Sequence, residues 1–282
     1  MSQLARTPDG PPPPPAVQRV RLRYAKRGRL RFTSHRDFQR ALERALRRAD
    51  VPMAYSAGFT PHPKVSYANA APTGAASEAE YVELQLARRC DPAALRDRLD
   101  AALPPGLDVV EVVDAGPGGL AERLTGGEWE IVLPGTDPQV AAAAVTDFIA
   151  REHVEVERLT KSGRRTLDAR AAVVRLDPVP APAARSELGR GAAGPGRVCA
   201  ILHLVVRHAT PAVRPDDVLA ALRAVADLAP PSPPQVTRLA QGPLDEVAGS
   251  VSDPLTPDRD AADAPGAAAR PSSDAYGATH RE

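Results

Sequence analysis

The amino-acid sequence predicts an α+β protein with two tandem ferredoxin-like (βαββαβ) domains and disordered N- and C-terminal tails. Three observations predict this class. Segments in which apolar and polar residues alternate, as in strands, take turns with segments that carry an apolar stripe at helical spacing. The order strand, helix, strand, strand, helix, strand can be read once and then again farther along the chain. Many of the 31 prolines lie in a few stretches, and these separate the blocks.

Shifts in composition set the domain boundaries. Proline, alanine, aspartate and serine without apolar periodicity mark both ends of the chain and one internal stretch. The predicted organisation is a disordered proline-rich arm at residues 1–16, domain 1 at residues 17–115, domain 2 at residues 125–243 with a proline- and glycine-rich insertion at residues 178–196, and an acidic disordered tail at residues 244–282.

Domain 1 begins with a strand over residues 20–24, where apolar residues alternate with arginines, and we expect this strand to resume at residues 30–32 after a bulge. Ser34 precedes a helix whose apolar stripe occupies residues 38–49. The βαββαβ order is completed by strand-like runs at residues 53–56, 64–68 and 80–88, a helix that starts with Asp91 and Pro92, and a strand at residues 107–113.

Domain 2 repeats this order with one additional strand. The predicted elements are a strand at residues 129–133, a helix at 138–151, strands at 154–159, 166–176 and 198–206, a helix at 216–228 and a strand at 236–239. The additional strand departs from the βαββαβ order.

The net charge of +1 conceals an asymmetry along the chain. Residues 17–50 contain twelve arginines and lysines against three acids, whereas residues 245–282 contain eight acids against three arginines. This distribution predicts a polyanion-binding head and an acidic tail. The alternative is an arginine-rich surface that binds nothing.

The first helix carries the strongest signal for a ligand. Arg36, Arg40, Arg44 and Arg47 share the face opposite the apolar stripe, and the preceding strand adds a basic side, so together they could neutralise several phosphates. A basic hairpin tip at residues 161–165 is a second candidate. The predicted RNA- or phosphate-binding residues are Arg29, Arg31, Arg36, Arg40, Arg44, Arg47, Lys64, Lys161, Arg164 and Arg165. A solvated face without a ligand is the alternative for both.

Residues 58–64 and His35 are further candidates. Two prolines stiffen the first segment around Phe59, whose ring could contact a base or a protein partner, although a stiff turn with Phe59 buried is equally compatible with the sequence. His35 stands at the start of the first helix, where an imidazole could act as a general acid or base in metal-free RNA cleavage, or could only shape the turn.

The sequence lacks the residues that several functional classes require. The sequence has no glycine-rich phosphate loop and no Cys-x-x-Cys pair, and its two cysteines, Cys90 and Cys199, lie far apart, so we expect no metal and no cofactor. No run of 18 apolar residues occurs, so we expect no membrane segment and a cytoplasmic location.

A set of motifs is distributed over about residues 17–240. The set comprises Gly28-Arg29-Leu30-Arg31-Phe32-Thr33-Ser34-His35-Arg36-Asp37, Arg47-Arg48-Ala49, Tyr55-Ser56-x-Gly58-Phe59-x-Pro61-His62-Pro63, Gly74-x-x-Ser77-Glu78-x-Glu80-Tyr81, and a Lys-x-Gly…Asp-x-Arg stretch at residues 161–170. Ser-His-x-Asp and Gly-Phe-x-Pro-His-Pro are its most specific parts. The set resembles the radical SAM-linked (radical SAM-associated) protein family, a domain-of-unknown-function family. Arg36 departs from the hydrophobic residue usual at its position.

This resemblance implies a partner. Members are often fused to or encoded beside a radical SAM protein, and in high-GC genomes they are expected near ribonuclease E/G genes, which favours RNA. Radical SAM chemistry needs an iron–sulfur cluster on three close cysteines, so a second protein would have to bring it. The motif residues assigned to partner binding are Ser34, His35, Asp37, Tyr55, Ser56, Gly58, Phe59, Pro61, His62, Pro63, Glu80, Asp168 and Arg170.

The sequence therefore predicts a non-catalytic RNA-binding adaptor that acts with a separate radical SAM enzyme in RNA modification or processing. One alternative is a metal-independent endoribonuclease that uses His35, by analogy with the CRISPR repeat-processing endoribonucleases, whose architecture is similar. The other is a protein–protein scaffold that binds no RNA.

Overall fold

The computed structural model describes residues 13–57, 59–160, 163–180, 184–192 and 198–263. These residues form a mixed α+β molecule around a central sheet that is mostly antiparallel. Residues 1–12 of the predicted arm lie outside the described residues, and residues 13–16 contain no helix or strand.

The first half has six elements in the predicted order. They are β1 (Gln18–Lys26), α1 (His35–Arg48), β2 (Val65–Ala68), β3 (Ala76–Leu86), α2 (Pro92–Ala102) and β4 (Leu107–Asp114). Local chemistry begins both helices. Ser34 Oγ accepts a hydrogen bond from the backbone N–H of Asp37 before α1, and Asp91 accepts one from Ala94 before α2, where Pro92 takes the first helical position.

The second half begins with the short helix α3 (Leu120–Arg123) and continues to the end of the described part of the chain. Its other elements are β5 (Gly126–Pro134), α4 (Pro138–Ile149), β6 (Glu155–Thr160), β7 (Gly163–Asp168), α5 (Ala169–Ala172), β8 (Val173–Val179), α6 (Glu187–Ala192), β9 (Cys199–Arg207), α7 (Pro215–Ala226), β10 (Gln235–Gly242), β11 (Leu244–Asp245), β12 (Ser250–Val251) and α8 (Thr256–Asp263).

One sheet runs through both halves. Its strand order is β4-β1-β3-β10-β5-β9-β8, and β2 pairs with β3 beside this path. The halves meet where β3 and β10 pair in parallel, Ala76 opposite Thr237 and Ser77 opposite Arg238, whereas the other pairings in this sheet are antiparallel. Residues 17–115 and 125–243 therefore share a sheet.

Helices cover the sheet over each half. In the first half Leu22 and Leu84 of the sheet are buried with Leu42 of α1 and Leu99 of α2. In the second half the apolar core lies between β5, β8, β9 and the helices α4 and α7. Burial of these apolar side chains stabilises the arrangement at roughly 25 cal/mol per Å² removed from water.

The predicted resumption of β1 at residues 30–32 is wrong. Gly28 has a φ of +52°, which turns the chain, and residues Gly28–Phe32 form a 3-10 helix instead. Similarly, the run at residues 53–56 makes only isolated bridges, Met53 with Leu86 and Tyr55 with Pro63.

The predicted strand at residues 166–176 is two strands. Asp168 accepts hydrogen bonds from the backbone N–H groups of Arg170 and Ala171, and these start the one-turn helix α5 between β7 and β8. The strands β6 and β7 then pair only with each other, as a hairpin outside the central sheet. This hairpin accounts for the additional strand in the sequence.

The predicted insertion and tail contain ordered structure. Within residues 178–196, residues 184–192 are described and include α6, while residues 181–183 and 193–197 lie outside the described residues. Within residues 244–282, residues 244–263 form β11, β12 and α8, and residues 264–282 lie outside. Burial explains the order, because Leu255 is completely buried against Leu120 and Leu124 on the sheet face opposite α1. Among the described residues, no helix is long and apolar enough to cross a membrane.

Candidate nucleic-acid interface

The exposed face of α1 is basic. Arg36, Arg40, Arg44 and Arg47 are exposed, while the opposite side of the helix buries its apolar stripe. Within the described ranges, only Arg40 of these four has an acid within ion-pair distance, Asp37 at 3.9 Å, and both side chains are more than half exposed. Such a pair contributes little, so the four guanidinium groups remain free to contact phosphates.

Arg29 and Arg31 precede this helix on the 3-10 helix. Arg29 is exposed, and the guanidinium of Arg31 lies 4.7 Å from the centre of the Phe32 ring. Phe32 is itself exposed, so a cation and a flat ring stand together at the surface. Sequence reasoning selected Arg31 but missed Phe32, because it placed this residue in a strand.

The arginines on the basic side predicted for β1 are buried or paired with acids. Arg21 is completely buried and donates to both carboxylate oxygens of Asp258, at 2.7 and 2.9 Å, and to Glu83 at 3.0 Å. Arg23 lies 3.9 Å from Asp253. Acids of the C-terminal segment thus neutralise the strand, and β1 cannot extend the α1 surface toward a polyanion.

The segment around residues 55–64 is a narrow loop that displays an aromatic ring. The Ser56 N–H donates to the carbonyl of His62 at 2.9 Å, and the His62 N–H donates to Ser56 Oγ at 3.0 Å. Phe59 is 72% exposed at its tip, and Pro61 and His62 are also exposed. The buried alternative for Phe59 is therefore wrong. Tyr55 is 41% exposed, Pro63 and Lys64 are half-buried, and Gly58 lies outside the described residues.

His35 is exposed at the first position of α1. Its ring meets the edge of Tyr67 with 5.0 Å between centroids, and its Nε2 lies 3.1 Å from the side-chain nitrogen of Gln39. Burial, with the nearby charge of Glu43, raises the pKa of Tyr67 to about 12. Ser34 and Asp37 serve the helix start, since the Ser34 hydroxyl also donates to the Asp37 carboxylate at 2.6 Å. Tyr67 was missed, although its alternation with Ser66 on β2 indicates the face toward α1.

The β6–β7 hairpin carries the other predicted basic residues. Arg164 and Arg165 are exposed, Arg164 lies 3.1 Å from the exposed Glu157, and Lys161 lies outside the described residues. Arg170 instead donates to the carbonyl of Val173 at 3.0 Å.

Asp168 orients a histidine that sequence reasoning missed. The His153 Nδ1 lies 2.7 Å from the Asp168 carboxylate, and this hydrogen bond and charge raise the pKa of His153. Because the imidazole is largely exposed, its other nitrogen faces solvent. His153 and Asp168 are fifteen residues apart in the sequence, so no local pattern could have revealed the pair.

Glu80 is inaccessible to a partner. It is 1% exposed and accepts hydrogen bonds from the Ala71 N–H and from Arg238, each at 3.0 Å. Arg238 lies over the Trp129 ring at 4.6 Å. This motif residue therefore holds the two halves together where β3 meets β10, and its prediction as a contact residue does not fit its burial.

Comparison with known proteins assigns the chain to a family. The sequence model of a family described as "Uncharacterized protein conserved in bacteria (DUF2344)" matches residues 19–215, most of the chain. The chain belongs to this family. No curated protein matches it. Among solved structures, the crystal structure of an unknown protein from Galdieria sulphuraria is similar, with 14% identity, a TM-score of 0.21, and coverage of 74% of this chain and 92% of that chain.

The DUF2344 match extends from β1 to the first residue of α7. It includes the α1 arginines, the Phe59 loop and the β6–β7 hairpin. Arg238 and Asp258, which neutralise buried charges of the matched region, lie beyond it. The family description names no activity and no partner.

Proposed function

We propose that this chain is a non-catalytic RNA-binding adaptor and that the exposed arginine face of α1 is its RNA contact. The observation that supports this is the contrast between two sets of arginines. Those of β1 are buried or paired with acids, whereas Arg36, Arg44 and Arg47 have no ion pair within the described ranges. Unpaired guanidinium groups along one helix suit a row of phosphates.

Salt dependence tests this proposal. With about four to six phosphate contacts, log affinity for single-stranded RNA should fall with log salt at about −0.7 per contact. The triple variant Arg36→Ala, Arg40→Ala, Arg44→Ala should flatten the slope by about two units. The matched control removes three exposed arginines elsewhere, Arg96, Arg151 and Arg223, and should change the slope little. An unchanged slope in the α1 variant, or equal losses in both, would contradict the proposal.

A metal-independent endoribonuclease remains the second candidate, favoured by the exposed imidazole of His35 beside Tyr67. If it were correct, His35→Ala would abolish EDTA-resistant cleavage while leaving RNA affinity intact, because a general base acts on the reaction step. We expect no cleavage by either protein. Cleavage by the wild type alone would replace the adaptor with the nuclease.

The proposed partner is a separate radical SAM enzyme, which contacts the Phe59 loop. An exposed ring on a hydrogen-bonded, proline-containing loop loses little entropy on docking. Phe59→Ala and His62→Ala should weaken co-purification with a radical SAM protein and leave RNA affinity within a few-fold. Val247→Ala, at an apolar residue that is also exposed, is the control. Recovery of ribonuclease E/G without any radical SAM protein would assign the adaptor to RNA processing, and recovery of proteins without RNA would favour the scaffold.

We also infer that each half is a ferredoxin-like unit and that the protein works in the cytoplasm. The ferredoxin-like units are supported by the strand orders β4-β1-β3-β2 and β10-β5-β9-β8, which agree once the β6–β7 hairpin is set aside. An experimental structure with a different strand order in either half would contradict this.

A further inference from the structure

A cleft of about 690 Å³ opens where the two halves of the sheet meet, and we call it the seam cleft. The ends of β3, β5, β9 and β10 surround it, and α6 covers one side. It exists because β3 and β10 pair over only two residue pairs before they diverge. A neighbouring cleft of about 510 Å³ shares Pro134 and Gln235 with it and contains Arg31 and Phe32.

The lining of the seam cleft combines apolar walls with unused polar groups. Ala76, Pro134, Leu188 and Val198 contribute apolar surface. Thr237 is 3% exposed, and its hydroxyl has no hydrogen-bond partner within the described part of the chain. A buried hydroxyl without a partner destabilises the fold, so a ligand that bonds it would gain binding free energy.

Two clefts that adjoin the seam cleft contain groups that suit a nucleotide. The cleft that shares Pro134 and Gln235 contains the exposed Phe32 ring and the Arg31 guanidinium, both able to stack on a base. A second adjoining cleft contains Arg185 and Arg190. Arg185 pairs with Glu128 and Arg190 donates to the Arg185 carbonyl, but both side chains are exposed, and each guanidinium has further N–H groups that can contact a phosphate. The exposed carboxylate of Glu187 lines both the seam cleft and this second cleft and can accept a hydrogen bond from the amino group of a base.

We propose that the seam cleft binds one nucleotide, with its base between the apolar walls near Thr237 and Gln235 and its phosphate toward Arg185 and Arg190. This inference rests on the proposed function, because it assigns the cleft to one nucleotide of the RNA that α1 holds. A free mononucleotide has the same chemistry, so both sources are probed separately.

The test measures the affinity of AMP and of a short oligoadenylate for four forms of the full chain. The double variant Thr237→Val, Gln235→Ala removes the two polar side chains of β10 that line the seam cleft and should weaken AMP binding at least about tenfold. Thr136→Val is the control, since Thr136 is also buried and its hydroxyl has no hydrogen-bond partner among the described residues, but it does not line the cleft. The α1 triple variant should keep its affinity for AMP and lose its affinity for the oligonucleotide. UMP, which lacks an amino group on its base, should bind more weakly than AMP.

Thiol alkylation locates the bound nucleotide. Cys199 lines the seam cleft, and Cys90 lies elsewhere as an internal reference. Burial raises the pKa of Cys199, so the reaction is run at alkaline pH. AMP should slow the alkylation of Cys199 and leave Cys90 unchanged.

The outcomes separate the two proposals. If the oligonucleotide binds through α1 but the double variant keeps wild-type affinity for both ligands, the seam-cleft proposal is overturned and the α1 proposal stands. If AMP binds and protects Cys199 while no oligonucleotide binds, the cleft site stands and RNA binding by α1 fails. If AMP does not bind and the oligonucleotide leaves Cys199 unprotected, the cleft binds no nucleotide.

Discussion

Asp258 of α8 neutralises the completely buried Arg21 of β1. Its carboxylate accepts from Arg21, from Arg123 at 2.9 Å and from the Gly116 N–H at 2.8 Å. Burial alone would raise the pKa of Asp258, but these hydrogen bonds outweigh it and lower the pKa. The buried pair is therefore ionised at neutral pH.

Asp258→Asn should lower the free energy of unfolding by about 3 kcal/mol, because the buried Arg21 loses its buried counter-charge and keeps only Glu83. Since the folded pKa is lowered, the contribution of Asp258 is present above the ordinary pKa of an aspartate and is lost as pH falls through the folded value. Urea unfolding of both proteins across acidic pH measures this. Asp260→Asn, at an exposed residue of the same helix, is the control. Equal stability of the two variants would contradict the role of Asp258.

Asp168→Asn should lower the pKa of His153, since the carboxylate holds it above its ordinary value. The stabilisation from this pair is complete below the ordinary histidine pKa and is lost as pH rises through the folded pKa. An NMR titration of the imidazole measures the change. Asp147→Asn, at an exposed residue of α4, should leave the His153 titration unchanged. A His153 pKa unaltered by Asp168→Asn would show that the contact is absent in solution.

Sequence reasoning at this scale succeeded where the cause is local. The stripe on α1 follows from helical periodicity, and Arg36 and Arg40 are exposed as expected. It failed for Arg21, which looked identical to its neighbours, because the partner Asp258 is 237 residues away. It failed for Glu80 in the same way, since Arg238 lies 158 residues away.

At the scale of the elements, helix-capping residues and prolines predicted the helices well, whereas turns were predicted poorly. Asp91 and Pro92 marked the start of α2. The 3-10 helix after β1 contains Leu30 and Phe32 at strand-like spacing, so only the backbone angle at Gly28 distinguishes it. The C-terminal segment lacks periodicity, yet it folds because it covers apolar surface supplied by other elements.

Two truncations test the role of α8. A chain ending at residue 249 should unfold at lower urea than one ending at residue 263, because it exposes the apolar cluster that Leu255 covers and leaves the buried Arg21 with Glu83 but without Asp258. The measurement is the urea midpoint of each chain at the same pH. Equal midpoints would mean that the segment contributes nothing to stability.

At the scale of the whole molecule, a continuous sheet and a buried ion pair join the halves. Glu80 of β3 and Arg238 of β10 are both nearly inaccessible, so their pairing couples the two cores. The strand sets themselves were predictable from the order of elements. The joining of the two strand sets into one sheet was not predictable, because the two residue pairs between β3 and β10 leave no pattern in the sequence.

The halves should therefore unfold together. Hydrogen exchange of β1 and β5 should show the same dependence on denaturant. Glu80→Gln should lower the stability of both strands by about 3 kcal/mol, because Arg238 stays buried without a counter-charge. Glu122→Gln, at an exposed acid, is the control. Destabilisation confined to one half would show that the seam does not couple them.

The pairing of β3 with β10 also has a consequence for synthesis on the ribosome. The chain leaves the exit tunnel from its N-terminus, so Glu80 emerges long before Arg238, and Arg21 long before Asp258. Until translation reaches these partners, the nascent first half has a strand edge without its neighbour, Glu80 lacks Arg238, and Arg21 has only Glu83 as a counter-charge. The residues that complete the first half are thus among the last of the described fold to be synthesised. A stalled ribosome or a shortened messenger RNA would leave an incomplete chain exposed to aggregation and proteolysis.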